Sequence, residues 1–210
     1  MTVDELKKEL RTLDTDKLVK HYSEMENLVD ETLDKMGIEL PKEDINSRVL
    51  DYYSFTDLKK PYGMKSETAF ILIGESHKKS HGKLYNIFLK ENPLNKIFPS
   101  TFHELGHVDY YQCIYNSARK YDKEISEVFA ISFKNYGLES FNTLNYNFRY
   151  NIRGKKNPFR KYKGNTVYIK IIKGLIDKFP NMKELYFFLR KSTDKEILKK
   201  SKTLRIHQPI

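Results

Sequence analysis

Apolar positions fall into distinct regimes along the chain. Over residues 15–36, Leu18, Tyr22, Met25, Val29, Leu33 and Met36 recur at steps of three and four. That spacing predicts an amphipathic helix, and Gly37 supplies its stop. Thr2 and Glu5 have the spacing of a capping box and announce helix at the N-terminus. Pro41 and the polar run after it mark a connection.

Residues 51–98 read instead as strands and loops. The run 68–74 is apolar and rich in β-formers, and 83–90 is its expected hairpin partner across a polar loop, 75–82. Helical spacing returns after Pro99. Ser100 is placed as the N-cap of a helix reaching about residue 119, and a second helix is expected over 123–136, ended by Gly137. Residues 138–165 read as loop. Further helices are expected over 166–179 and 182–190, with a short last one opened by the capping box Thr193–Glu196. The pattern predicts an α+β, helix-rich protein with a small antiparallel sheet packed on a helix. It divides into a helical segment 1–50, a core 51–150 and a helical segment 151–210.

Composition narrows the class. With 210 residues, 39% of them hydrophobic, the chain can bury a sizeable core. One cysteine, Cys113, excludes an internal disulfide and reads as a small buried apolar residue. No apolar run approaches the roughly 18 residues of a membrane span. Acids interrupt the first ten residues, so they do not read as a signal peptide, and a cytoplasmic protein is expected.

The formal net charge is +10, and residues 151–210 carry 17 Lys+Arg against four acidic residues. A lysine-rich solvated surface is the plainer reading. The other is a face for an acidic partner or nucleic acid, with Phe159, Tyr162 and Tyr168 as stacking sites. Lysine far outnumbers arginine in the chain, which disfavours base readout.

The chemistry concentrates at His103-Glu104-Leu105-Gly106-His107. Residues four apart on a helix lie about 40° apart around the axis, so both imidazoles reach one point, as two ligands of one zinc ion must. Glu104, about 100° away, stands beside that point, where it can deprotonate a zinc-bound water. With 6 His and 16 Glu in the chain, chance would produce this pattern roughly once in 80 such sequences. A third ligand is expected on the next helix. Glu127 is preferred, with Glu124 one turn earlier as its competitor.

A longer zinc signature of the metzincin kind would need a glycine and a histidine where Tyr110 and Cys113 stand. His77 and His81 share the four-residue spacing but fall in a loop, where it has no geometric force. His21 reads as a helix-surface residue and His207 lies near the C-terminus.

The pentad, followed by Glu127-Val128-Phe129-Ala130 and Phe133, resembles the zinc-peptidase core of the gluzincins. It is most similar to the group that holds the anthrax lethal factor catalytic domain, which Asp109-Tyr110-Tyr111 after the second histidine also resembles. The likeness covers about residues 68–137. It implies a zincin-like core, one Zn2+ on His103, His107 and Glu127, and Glu104 as general base. It also implies a tyrosine shortly before the third ligand that stabilises the oxyanion. Tyr121 is the nearest here, six residues before Glu127 where the group has seven. Where gluzincins of the thermolysin kind place a supporting aspartate, this chain has Ile131, leaving Asp109 as a guess for that role. The implied activity is zinc-dependent hydrolysis of peptide bonds in a peptide or protein substrate, with the hairpin as docking template. The alternative is a zinc-site regulatory or nucleic-acid-associated binding protein with little peptidase activity.

Overall fold

The computed structural model describes residues 1–12, 16–75, 83–117, 120–150 and 166–202. Helix α1 (Val3–Thr12) opens with the expected capping box: Glu5 N–H donates to Thr2 Oγ1, and Thr2 N–H donates to Glu5 Oε2. Helix α2 (Ser23–Met36) ends at Gly37, at φ 67°. It begins later than its periodicity predicts. Leu18–Val19 form a short strand, β1, antiparallel to β5 (Asn92–Pro93). Val19 is buried and Leu18 exposed, so these two residues follow a strand's alternation and not the helix face.

Residues 51–98 hold more helix than the sequence announces. Helix α3 (Tyr52–Lys59) follows β2 (Ile45–Leu50), and the Asp51 carboxylate accepts from the N–H groups of Tyr53 and Ser54 as its N-cap. The predicted hairpin is present as β3 (Ala69–Glu75) antiparallel to β4 (Lys83–Lys90). Strand β2 joins the far side of β4 in parallel, giving the order β2-β4-β3 and leaving β3 at an edge.

Helix α4 (Leu94–Tyr115) starts six residues before the expected cap, and Pro99 lies inside it. A proline interrupts the helix ladder. Burial outweighs that loss here: Leu94, Ile97 and Phe98 are each at most 2% exposed. Ser100 caps nothing. Its Oγ sits 3.0 Å from Thr68 Oγ1 and ties α4 to the start of the hairpin.

Helix α5 (Lys123–Phe141) runs through Gly137. That glycine marks a close approach, not a stop, because a Cβ there would run into the Phe102 ring of α4. A Cβ on Gly106 would lie 2.6 Å from Ala130 Cα. Gly106 thus lets the α4 backbone lie nearly against that of α5, and Gly137 makes room on α5 for the Phe102 ring.

Helices α6 (Val167–Ile176), α7 (Met182–Lys191) and α8 (Asp194–Ser201) follow, with α8 opened by the predicted Thr193–Glu196 capping box. Helix α5 is central, contacting α2, α4, α6 and α7. Buried side chains from Leu6 to Ile197 form one cluster around it. No helix among the described residues is long and apolar enough to cross a membrane. The protein is α+β and helix-rich, with a mixed three-stranded sheet of which the hairpin is antiparallel.

Candidate metal centre

His103 and His107 project from adjacent turns of α4 toward Glu127 on α5. His103 Nε2 lies 3.6 Å from Glu127 Oε2, and His107 Nε2 lies 3.8 Å from Glu127 Oε1. The two imidazole rings stand at 88° with centroids 5.0 Å apart. One ligand atom from each of the three residues lies within 4.8 Å of the others. A tetrahedral ion with bonds near 2.1 Å holds its ligand atoms about 3.4 Å apart, so these separations suit one metal ion with little adjustment. Among the described residues, this is the sole group of three or more such side chains that could hold a metal.

The close approach at Gly106 makes the geometry possible. Glu127 is one turn short of Ala130, the residue that Gly106 touches, so its carboxylate clears α4 at the level of the histidines. The same turn supplies Ser126, whose Oγ lies 2.7 Å from His107 Nδ1. That contact turns Nε2 toward the candidate site. Burial holds both imidazoles neutral, the ligating form: His107 is pulled down to about 4, and His103 is lowered by burial and by His107 beside it.

Glu104 is buried at 5% exposure, beside the histidines and facing the same cleft. Burial, and then the Glu127 carboxylate, push its carboxyl up to about 8, while the Lys134 ammonium acts in the opposite direction. Lys134 follows Glu127 by seven residues, two turns along α5 on the same side. Burial lowers it to about 8 against the pull of Glu127 and Glu104.

The cleft has a volume of about 990 Å³. One wall is α4 and α5, and the other is edge strand β3 from Ala69 to Ile73 with residues 62–66 beyond it. Tyr121 stands on the rim, half exposed, its ring stacked on Tyr111 at 5.1 Å and 16°. Both tyrosines line the cleft.

The other candidates lie elsewhere. Glu124, the competitor of Glu127, does not join the histidines. Its carboxylate accepts from the Tyr168 N–H at 2.9 Å and so caps the first turn of α6. Asp109 does not support the metal ligands either. Two residues past His107 is more than half a turn, which carries it to the back of α4. There it accepts from the Tyr186 hydroxyl and pairs with Arg190 at 3.2 Å, joining α4 to α7. Cys113 is half-buried against the core. His21 is exposed just ahead of α2 and not on it. His77, His81, His207, Phe159, Tyr162 and the basic stretch 151–165 lie outside the described residues. Tyr168 is half-buried on α6 and packs on the core.

Two cleft residues have no signature in the sequence. Ser126 carries no pattern that marks it as a partner of His107, and Lys134 is one lysine among many. Helical spacing from Glu127 is the single clue to Lys134, and it becomes informative only once Glu127 is placed.

No protein-family model, curated protein or solved structure matches this chain.

Proposed function

We propose that this chain is a zinc-dependent metalloendopeptidase of the gluzincin type with a zincin-like core, acting on peptide or protein substrates. The observation that carries this reading is the approach of Glu127 to both histidines, with a second buried carboxylate, Glu104, beside them and off the ligand set. Two imidazoles and one carboxylate suit zinc, and three protein ligands leave a position open for substrate chemistry.

A zinc ion held there supplies Lewis acidity, lowering the pKa of a water and polarising a carbonyl. His103, His107 and Glu127 would hold it, with Ser126 keeping the His107 ring in orientation. The Glu104 carboxylate takes the proton of the attacking water and returns it to the departing amine. Positive charge raises the fraction of Glu104 that is ionised, so Lys134 helps keep it a base. The Tyr121 hydroxyl, on the rim of the cleft, is the donor we assign to the developing oxyanion. Strand β3, which among the described residues pairs with β4 alone, lines the cleft, so an extended peptide can add to it as a further strand.

Elemental analysis of the purified chain and digestion of a peptide library test this reading together. The expected result is one zinc per chain, lost in His107→Ala, with cleavage abolished by a chelator and restored by zinc. One zinc without cleavage of any peptide would turn the assignment toward a regulatory zinc-site protein. No stoichiometric metal would overturn the site itself.

A further inference from the structure

His103, His107 and Tyr111 are spaced by four residues on α4, so Tyr111 stands one turn past the second histidine, on the face that carries both. Tyr121 is placed differently. It lies between α4 and α5, outside both helices, and is 52% exposed. The side chain of an exposed residue changes rotamer on the ps–ns scale unless its neighbours stop it. A phenol that serves an oxyanion has to be held, because a misplacement of about 1 Å forfeits much of a catalytic contribution.

Two tyrosines of α4 meet Tyr121. Tyr110, buried, accepts the Asp122 N–H on its hydroxyl at 3.1 Å, and the Asp122 carboxylate accepts from the Ile125 N–H as the cap of α5. Those bonds fix the main chain directly after Tyr121 but not its ring. The ring rests on Tyr111, nearly parallel at 16° with centroids 5.1 Å apart, and meets Tyr110 at a steep 53° and 6.1 Å. Tyr111 is backed in turn by the buried Tyr85 of β4, at 6.4 Å. Burial, and then the Tyr121 phenol beside it, raise the pKa of the Tyr111 hydroxyl, which agrees with two phenols lying side by side.

Building on the peptidase reading above, in which Tyr121 serves the oxyanion, we infer that Tyr111 is a positioning residue whose ring, backed by Tyr85, holds the Tyr121 ring at the cleft before substrate arrives. An aromatic stack biases a ring toward one orientation by about two- to tenfold. Tyr111 acts through Tyr121 and not on the substrate itself.

The test uses the zinc-loaded full chain and a peptide that it cuts, with Tyr111→Leu, Tyr111→Phe, Tyr121→Phe and the Tyr111→Leu, Tyr121→Phe double variant. Zinc content and melting temperature are measured for each. A second readout needs no turnover. The full chain carries 3-fluorotyrosine at position 121, and 19F relaxation reports how far that ring is restrained, with and without zinc.

Tyr121→Phe should lower kcat by about 10²-fold, the scale of one oxyanion donor, with zinc retained. Tyr111→Leu should lower kcat by about three- to tenfold at unchanged KM and zinc content, and Tyr111→Phe, which keeps the ring, should recover most of that loss. In the Tyr121→Phe background, Tyr111→Leu should cost nothing further, because its effect passes through the hydroxyl already removed. The labelled ring should be restrained in the wild type and in Tyr111→Phe, and should move faster in Tyr111→Leu. A Tyr111→Leu variant with wild-type kcat overturns the inference, as does an equal loss in both backgrounds or a Tyr121 ring that moves freely in the wild type. Loss of zinc from Tyr111→Leu also overturns it and assigns Tyr111 to supporting the histidines. Full turnover in Tyr121→Phe overturns it as well, since Tyr111 would then have nothing to act through. If the wild type cuts no peptide, the peptidase reading fails, and the 19F measurement alone decides whether Tyr111 holds Tyr121. Cleavage by a wild type whose Tyr121 ring is unrestrained would do the reverse.

Discussion

Helix α4 carries two buried acids on opposite faces, and they meet different fates. Glu104, at 5% exposure, faces the cleft, where burial and a neighbouring carboxylate disfavour its charge. Asp109, at 0% exposure, faces α7, where a guanidinium and a phenol meet it directly. Both are desolvated, but only Asp109 has a cation and a hydroxyl dedicated to it. A buried carboxylate with such partners fastens helices together. One held beside metal ligands and open to a cleft is poised to exchange protons. Five residues of one helix separate a proposed chemical role from a structural one, and the partner elements set the difference.

Breaking the two acids in turn should separate those roles. The largest effect belongs to Glu104→Gln. It should keep stoichiometric zinc and lower peptide turnover by about 10²-fold or more, the scale of a general acid–base contribution. Near-normal turnover with zinc bound would remove Glu104 from the mechanism. Asp109→Asn should act on stability instead. Removing one partner of a buried ion pair costs about 3–5 kcal/mol. Arg190 is 30% exposed, which puts the expected loss at the lower end, about 3 kcal/mol. For a chain of this size that lowers the melting temperature by roughly 6–12 °C, measured by calorimetry at fixed zinc. A stable Asp109→Asn protein with weakened zinc binding would put Asp109 back among the groups that serve the site.

Ser126→Ala sharpens the comparison on the cleft side. It removes the group that orients His107 and should weaken zinc affinity by about 10- to 100-fold, read by competition with a chromophoric chelator. The smallest effect is expected from Glu124→Gln. An amide oxygen still caps α6, so stability should change by less than about 1 kcal/mol, and zinc affinity should stay at the wild-type value. A larger zinc loss for Glu124→Gln than for Glu127→Gln would reverse the ligand assignment.

Much of the site is legible before folding is considered. Spacing along one helix is a local property, so His103, Glu104 and His107 follow from four-residue geometry wherever that helix packs. The hairpin and the Thr2, Gly37 and Thr193 helix boundaries are local in the same sense. Legibility fails where a distant segment competes. Pairing with β5 drew Leu18–Val19 out of a helix whose periodicity they continue. Packing of Leu94, Ile97 and Phe98 overrode Pro99 as a helix boundary. Helix α3 gave no such local signal: it carries only one buried side chain, Phe55, and shows no strong periodicity.

The sequence by itself determined that two histidines and a glutamate share one side of a helix, the pattern proposed here for two ligands and a base, because fixed rise and rotation make their relative positions a matter of counting. It also offered two glutamates one turn apart as candidates for a third ligand. Only the tertiary structure separates them in space: Glu127 approaches both histidines, level with the contact of Gly106 on α5, while Glu124 turns to α6. The same packing chose Ser126 to orient His107, set Lys134 in the cleft wall and turned Asp109 toward Arg190. These assignments depend on the distance and rotation between separate helices, and those are fixed by how whole faces interlock, which no local spacing encodes.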